Sequence, residues 1–408
     1  MTTSRAVVVG AGIAGVSAAA GLRAAGFDGE VLLIGDEPEL PYRRPPVSKE
    51  IIRGEKTADQ IRIKPESWYA DNAVELLTGT LVTAIDPAGR SVNLSAGSPI
   101  TFDRLLLATG GTARTLGSSE ADTAGGVRTL RTLADVPALR RTLTPGQHLI
   151  VVGAGLIGSE IAASARGLGC EVTMLESAPL PLPRLLPPLL GQMYVDLHKG
   201  NGTELHTDVT VSGIVGEGGE TVVSAADGRT WSAPIVVVAI GMEPATGLAA
   251  AAGLEIADGI VVDASGQSSI PGIYAAGDVA NMPNGVLGGR HRVEHWQNAQ
   301  NHGTAVGKAM AGAESTFVEV PWCWSDQYGI TLQVTGWPEA SHDVRVRGSI
   351  DEHDFSAFFL DGDTLLGAVS IGRPGDVRQA RKWITAGVRL RPDVLGDEGA
   401  ALAESVIS

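Results

Sequence analysis

Residues 10–15 read GAGIAG and residues 153–158 read GAGLIG. Each is a Gly-x-Gly-x-x-Gly triplet: Gly10, Gly12 and Gly15 in one, Gly153, Gly155 and Gly158 in the other. Each follows a short β-branched run, RAVVV at residues 5–9 and HLIVV at 148–152, and each opens an alanine-containing helical stretch. The first glycine of such a triplet permits a tight turn. The second lets the backbone approach a pyrophosphate, and the third lets the helix pack closely on the strand. The helix N-terminus then offers free N–H groups and a positive dipole end to phosphates. A second apolar run follows each copy. Residues 31–34 lead to Asp36 and Glu37, and residues 172–175 lead to Glu176. Both acids lie about 20 residues beyond their fingerprint, where a carboxylate accepts hydrogen bonds from ribose hydroxyls. Two dinucleotide sites are therefore expected. The alternative, two plain strand–turn–helix units, does not account for the repeated context.

Glu176 also bears on which dinucleotide binds. A carboxylate pairs with a free 2′-hydroxyl and repels a 2′-phosphate, and the following Ser177 and Ala178 supply no arginine. The second site is expected to favour NADH over NADPH. A solvated glutamate at a strand end is the alternative.

The chain that must position these residues is 408 residues long, enough for two or three domains. Hydrophobic residues make up 44% and charged residues 19%, a globular composition. The net charge is −15, which disfavours non-specific binding to nucleic acid or to an anionic membrane. Cys170 and Cys323 stand in different halves of the chain, so no CxxC redox pair and no cysteine-rich zinc site is possible. The N-terminus runs directly into the first apolar strand, so no signal peptide is expected. The longest apolar runs, such as residues 235–240, fall far below the ~20 residues that span a bilayer. A cytoplasmic protein with no membrane segment is expected. No heptad run or cysteine bridge points to a fixed dimer, so a monomer or weak homodimer is expected.

Three more segments read as buried strands with glycine exits: FDRLLLATGG at 102–111, IVVVAIG at 235–241 and IYAAGDV at 273–279. The order fingerprint, ATG, fingerprint, AIG, YAAGD resembles the two-dinucleotide-binding flavoprotein fold of the glutathione-reductase type. The resemblance spans nearly the whole chain. It implies an α/β architecture with two Rossmann-like domains: a split FAD domain (1–112 and 241–316) with an NADH domain inserted (113–240). A C-terminal α+β domain would follow at 317–408.

Within that fold, disulfide-reducing members carry a cysteine pair, or one cysteine soon after the first acidic strand. Residues 38–49, PELPYRRPPVSK, contain none, so the flavin is expected to be the only redox centre. This same stretch, with RVEHWQNAQNHG at 292–303 and VPWCWSDQYGITLQ at 320–333, resembles the NADH-dependent ferredoxin reductases that serve oxygenases and cytochromes P450. The apoptosis-inducing-factor branch shares the PYxRPPxSK pattern and is the nearest rival. One departure stands out. Where this group often has two arginines after the second acid, LESAPLPLPR has Leu180 in the first arginine's region and keeps only Arg184.

The resemblance implies that Lys49 and Glu160 meet beside flavin N5, with Glu160 orienting Lys49 where the nicotinamide stacks. Read alone, each is a surface charge, or for Glu160 a helix-dipole partner. Pro45 and Pro46 would form a rigid turn under the ring. One of Arg43 and Arg44, preferentially Arg44, would reach FAD, and Asp278 would bond its ribityl or pyrophosphate region. Trp296 and Trp324 would lie near the ring, Trp324 also marking an edge where the acceptor docks. Beside the two glycine triplets, the implied cofactor-binding set includes Ala14, Asp36, Arg44, Pro46, Lys49, Val82, Ala108, Thr109, Gly110 and Arg128. It continues through Asp278, Glu294, His295, Trp296 and Trp324. It also takes in Leu156, Ile157, Glu160, Glu176, Arg184, Ile240 and Gly241.

Near the C-terminus, Asp361-Gly362-Asp363 signals a hairpin turn. Arg378, Arg381 and Lys382 share one face of a helix. Ferredoxins are acidic, so this face, with Arg292 as a second candidate, could guide docking. A solvated face is the alternative. The implied reaction is oxidation of NADH by FAD and single-electron delivery to an iron–sulfur ferredoxin that feeds a cytochrome P450 or other oxygenase. The alternatives are an NADH oxidase or peroxidase, and an NADH-binding flavoprotein acting through partners.

Overall fold

The computed structural model describes residues 4–116, 126–183, 185–286 and 288–407. The chain forms two compact units. One is built from Met1–Arg43, Ala58–Thr112 and Glu243–Pro321, the other from Arg44–Thr57, Ala113–Met242 and Trp322–Ser408.

The first unit centres on a five-stranded parallel sheet. Its spatial order is Ile273–Ala275, Arg104–Leu107, Arg5–Val9, Glu30–Ile34 and Val74–Leu77. Successive side chains of a strand point to opposite faces. Ala6 and Val8 therefore enter one core and Val7 and Val9 another, and all four are buried. Burial on both faces is why these strands read as continuous apolar runs. On the Val8 side lie the helices Ile13–Ala24 and Trp296–Met310. Their approach depends on missing side chains. A Cβ on Gly303 would stand 2.2 Å from Ala14 O, and one on Gly307 would stand 2.1 Å from Ala18 O. Backbone oxygens cannot yield by that much, so the helices meet only through glycine.

The second unit repeats the plan. Thr203–His206, Glu171–Leu175, His148–Val152, Ile235–Val238 and Val127–Arg128 form a parallel sheet in that spatial order. A three-stranded antiparallel sheet, Val211–Glu217, Glu220–Ala225 and Thr230–Ala233, shares a core with it. The C-terminal part is a five-stranded antiparallel sheet in the order Trp322–Gln327, Ile330–Gly336, Thr364–Ile371, Asp354–Asp361, Asp343–Ser349. The expected hairpin at Asp361-Gly362-Asp363 joins two of these strands. Leu332, Phe355, Phe359 and Val369 of this sheet pack against Leu190, Tyr194 and Leu197 of the helix Pro188–Gly200. Each fully buried phenylalanine there contributes roughly 2 kcal/mol. The C-terminal sheet and the second nucleotide fold thus share one core, which fixes the strand Trp322–Gln327 relative to the helices of that fold.

Among the described residues, no helix is long and apolar enough to cross a membrane.

Candidate active site

In the first unit the strand Arg5–Val9 ends at Gly10, whose φ of +108° makes the tight turn. A Cβ on Gly15 would lie 1.9 Å from Gly10 O, so the helix can start this close to the turn only with glycine there. At Gly12 the same test meets only open space. No described side chain caps the helix Ile13–Ala24, whose first-turn N–H groups are left for a ligand. An uncapped helix N-terminus facing open space is what a pyrophosphate needs, so these residues fit a dinucleotide. Ala14 is buried at the start of this helix, in contact range of the turn at Gly277. His302, fully buried, accepts a hydrogen bond from Gly277 N–H through Nδ1 at 3.2 Å. It thereby braces the turn that carries Asp278. Burial pushes His302 down to about 4, so it does this as a neutral ring.

Other expected residues of this unit surround the same sheet. Thr109 Oγ1 donates to Ala245 O at 2.9 Å, between buried Ala108 and Gly110. Asp36 is exposed at the exit of Glu30–Ile34, and its neighbour Glu37 accepts from the Tyr42 hydroxyl. Val82 places its side chain in the core beside Val9 and Ile34. Glu294 is exposed and pairs with Arg292. His295 precedes the helix that begins at Trp296. Its Nδ1 is buried without a hydrogen-bond partner among the described residues, and burial pushes the ring down to about 4. An orphaned polar atom at that place fits a polar ring ligand. Arg292 is corrected as a docking candidate. Its side chain is 8% exposed and bonded to Asp258 and Glu294, so it faces inward rather than out to a partner.

In the second unit the fingerprint geometry recurs. Gly153 has φ of +102°, a Cβ on Gly158 would lie 2.0 Å from Gly153 O, and Gly155 faces open space. No described side chain caps the helix Leu156–Gly167, and Ile157 in its first turn is 44% exposed. Leu156 packs toward the shared core. Glu176 is buried at the end of Glu171–Leu175. Its Oε2 accepts from Ala154 N–H at 2.6 Å and its Oε1 from Ala178 N–H at 2.8 Å. The fingerprint loop itself therefore anchors the carboxylate. Ile240 and Gly241 follow the strand Ile235–Val238, and Arg128 lies on the edge strand beside Val237. Arg184 lies outside the described residues.

The most concentrated chemistry lies on Glu160, in this same unit. Pro46 opens one turn of π-helix, Val47–Ile51, closed by the bond from Ile51 N–H to Pro46 O at 3.0 Å. Single π turns are rare and recur at functional sites. The turn buries Ser48 and Lys49. Lys49 Nζ donates to Glu160 Oε1 at 3.0 Å, the two residues being 5% and 4% exposed. Ser48 Oγ donates to Oε2 at 2.5 Å, and Ser325 Oγ donates to Oε1 at 2.8 Å. A buried ion pair is tolerated only where its remaining lone pairs find partners, and here three side chains from two segments supply donors to one carboxylate. Ser164, one helical turn beyond Glu160, donates through Oγ to Ser48 O at 2.8 Å and holds the π turn on the helix. Arg44 Nη1 donates to Arg131 O at 3.1 Å, at the entry to this turn. Arg43, exposed in the first unit, donates to Gln60 O. Trp324 stacks on Trp322 with ring centroids 5.2 Å apart.

Cys323 lies beside this cluster. Burial, aided by the Glu160 charge, pushes its thiol up to about 12. Cys170 is also buried and free, and burial raises it too. Neither thiol forms a thiolate near neutral pH, so the site offers no disulfide chemistry.

A family described as pyridine nucleotide-disulphide oxidoreductase matches residues 4–303, and one described as reductase C-terminal matches residues 322–406. The chain belongs to the pyridine nucleotide-disulphide oxidoreductase family. As a member of it, the chain keeps both nucleotide loops and lacks a reactive thiol pair. It is 37% identical to putidaredoxin reductase of Pseudomonas putida over 405 residues, 98% of this chain and 96% of the relative. It is 38% identical to the ferredoxin–NAD(+) reductase component of the p-cumate 2,3-dioxygenase system of Pseudomonas putida over 410 residues, 99% of each. The fold matches that of the covalent putidaredoxin reductase–putidaredoxin complex with a TM-score of 0.94 and 37% identity, covering 99% of this chain and 98% of that one.

Proposed function

We propose that this flavoprotein takes hydride from NADH onto FAD and passes single electrons to a small iron–sulfur ferredoxin, which feeds a cytochrome P450 or other oxygenase. The observation that carries this reading is the buried Lys49–Glu160 pair next to a second dinucleotide loop, in a chain with no reactive thiol. The relatives support it, being named putidaredoxin reductase and ferredoxin–NAD(+) reductase parts of dioxygenase systems. Bound FAD supplies two-electron acceptance and one-electron release, which no side chain provides.

The residues do the rest by binding and orientation. In this reading Gly10, Gly12, Ala14 and Gly15 hold the FAD pyrophosphate. Asp36, Thr109, Asp278, His295 and Trp296 serve the same cofactor. Gly153, Gly155, Leu156, Ile157 and Gly158 hold the NADH pyrophosphate, and Glu176 takes the ribose. Glu160 fixes the direction of the Lys49 ammonium, whose positive charge would stabilise negative charge on a flavin ring bound beside it. The division into 1–112, 113–240, 241–316 and 317–408, a monomer or weak homodimer, and a cytoplasmic location belong to the same proposal.

The test is anaerobic stopped-flow absorbance of the yellow protein mixed first with NADH and then with a [2Fe–2S] ferredoxin. The expected result is bleaching by NADH and recovery of colour by ferredoxin within turnover time. Recovery only by oxygen or peroxide would replace this reading with that of an NADH oxidase.

Docking is assigned to the helix Pro374–Ala386. It buries Val377, Ala380, Trp383 and Ile384 and leaves Arg378 and Lys382 exposed on the opposite face. Arg378→Glu combined with Lys382→Glu should raise the KM for ferredoxin about 5-fold at low salt. The effect should vanish at 1 M salt, where the Debye length is about 3 Å. An unchanged KM at low salt would make this an ordinary solvated face.

A further inference from the structure

We propose that the C-terminal domain contributes a positioning residue to hydride transfer: Ser325, aimed by Gln327, fixes the Glu160 carboxylate that directs Lys49. The inference rests on the function proposed above. On the strand Trp322–Gln327, Cys323, Ser325 and Gln327 alternate inward, and Ser325 and Gln327 are 0% and 1% exposed. Inward positions of a core strand ordinarily carry apolar side chains, because an unpaired hydroxyl or amide costs stability when buried. Here the strand packs into the core of Tyr194, Leu332 and Phe355, yet two of its three inward residues are polar.

Their hydrogen bonds give the reason. A serine hydroxyl has one proton to donate. Gln327 Nε2 donates to Ser325 Oγ at 3.1 Å, and Ser325 Oγ donates to Glu160 Oε1 at 2.8 Å. With an incoming donor from Gln327, the hydroxyl proton is committed to Glu160. The same oxygen receives Lys49 Nζ, and Ser48 holds Oε2. The carboxylate is therefore held at both oxygens, and with it the direction of the ammonium. Behind Gln327 lies a further polar cluster, in which Gln327 Oε1 and His198 Nε2 are buried without a hydrogen-bond partner among the described residues. His198 Nδ1 lies 2.9 Å from the Tyr328 hydroxyl, which lies 2.9 Å from Thr203 Oγ1. Burial, opposed by Gln327, pushes His198 down to about 4, so the ring is neutral at working pH.

The test is single-turnover flavin reduction by NADH under anaerobic conditions, using the FAD-loaded full chain. Ser325→Ala should lower the limiting rate at saturating NADH about 10-fold, with the apparent Kd for NADH within about 2-fold of wild type. In a Glu160→Gln background, Ser325→Ala should have no further effect on that rate. A merely structural Ser325 would lower melting temperature and FAD content, and its effect would multiply with that of Glu160→Gln. If Ser325→Ala does not fold, Gln327→Met tests the same claim. It keeps the hydroxyl but removes the donor that aims it, and should cost about 3-fold in the same rate. A wild-type limiting rate in whichever variant folds overturns the proposal. Failure of NADH to reduce the wild-type flavin would instead overturn the function on which it rests.

Discussion

Lys49→Met should slow flavin reduction by NADH about 100-fold while FAD stays bound. Methionine keeps the unbranched stem that threads the π turn and removes only the charge. Lys49 is 5% exposed and its ammonium lies 3.0 Å from Glu160, so little solvent screens it from whatever occupies the site. In a water-poor site a fixed charge is worth far more than at a surface. Removing one preorganised donor typically costs about 10²–10³ in rate. Stability should fall as well. Glu160 would keep Ser48 and Ser325 but lose its counter-charge, and an uncompensated buried charge costs about 3–5 kcal/mol. Lys49→Met combined with Glu160→Gln should therefore recover much of the melting temperature without recovering the rate. Stopped-flow reduction and thermal melts of the two variants beside wild type separate the two effects. A wild-type reduction rate in Lys49→Met would remove Lys49 from the hydride-transfer site.

Sequence and structure agree best where information is local. The two fingerprints were legible because a strand exit, a tight turn and a close-packed helix impose glycine at fixed spacing, and parallel strands buried on both faces read as apolar runs. The meeting of Lys49 and Glu160 was not legible from spacing, since 111 positions separate them. Only the family resemblance brought them together. Ser325 lies 165 positions from Glu160, and its strand has ordinary alternation, so nothing marked it as a donor to the site. Ser48 and His302 sat inside segments already singled out, but a hydroxyl beside a lysine or a histidine in a helix carries no local sign of its partner. Arg292 shows the converse. A basic residue in a motif suggested a docking rim, and Asp258, 34 positions away, turns it inward.

Glu176→Arg should shift the ratio of kcat/KM for NADH over NADPH toward NADPH by about 100-fold. The side chain is 7% exposed and its carboxylate is held by Ala154 N–H at 2.6 Å and Ala178 N–H at 2.8 Å. A carboxylate so anchored cannot swing away from a 2′-phosphate. At 4 Å and an effective dielectric near 20, two unit charges interact by about 4 kcal/mol, and even half of that is more than a tenfold preference. Arginine reverses the sign and adds donors that match a phosphate. It also leaves two backbone N–H groups without their acceptor, at about 1–3 kcal/mol each. Absolute rates should then fall with both cofactors, which is why the ratio is the quantity to measure. Glu176→Gln separates the contributions. It removes the charge and keeps an acceptor for one of the two backbone N–H groups, so it should give an intermediate shift of about 10-fold and cost about 1–3 kcal/mol of stability for the N–H group left unpaired. If both variants discriminate as the wild type does, the ribose does not reach Glu176, and the residue serves only to tie the fingerprint loop to its strand.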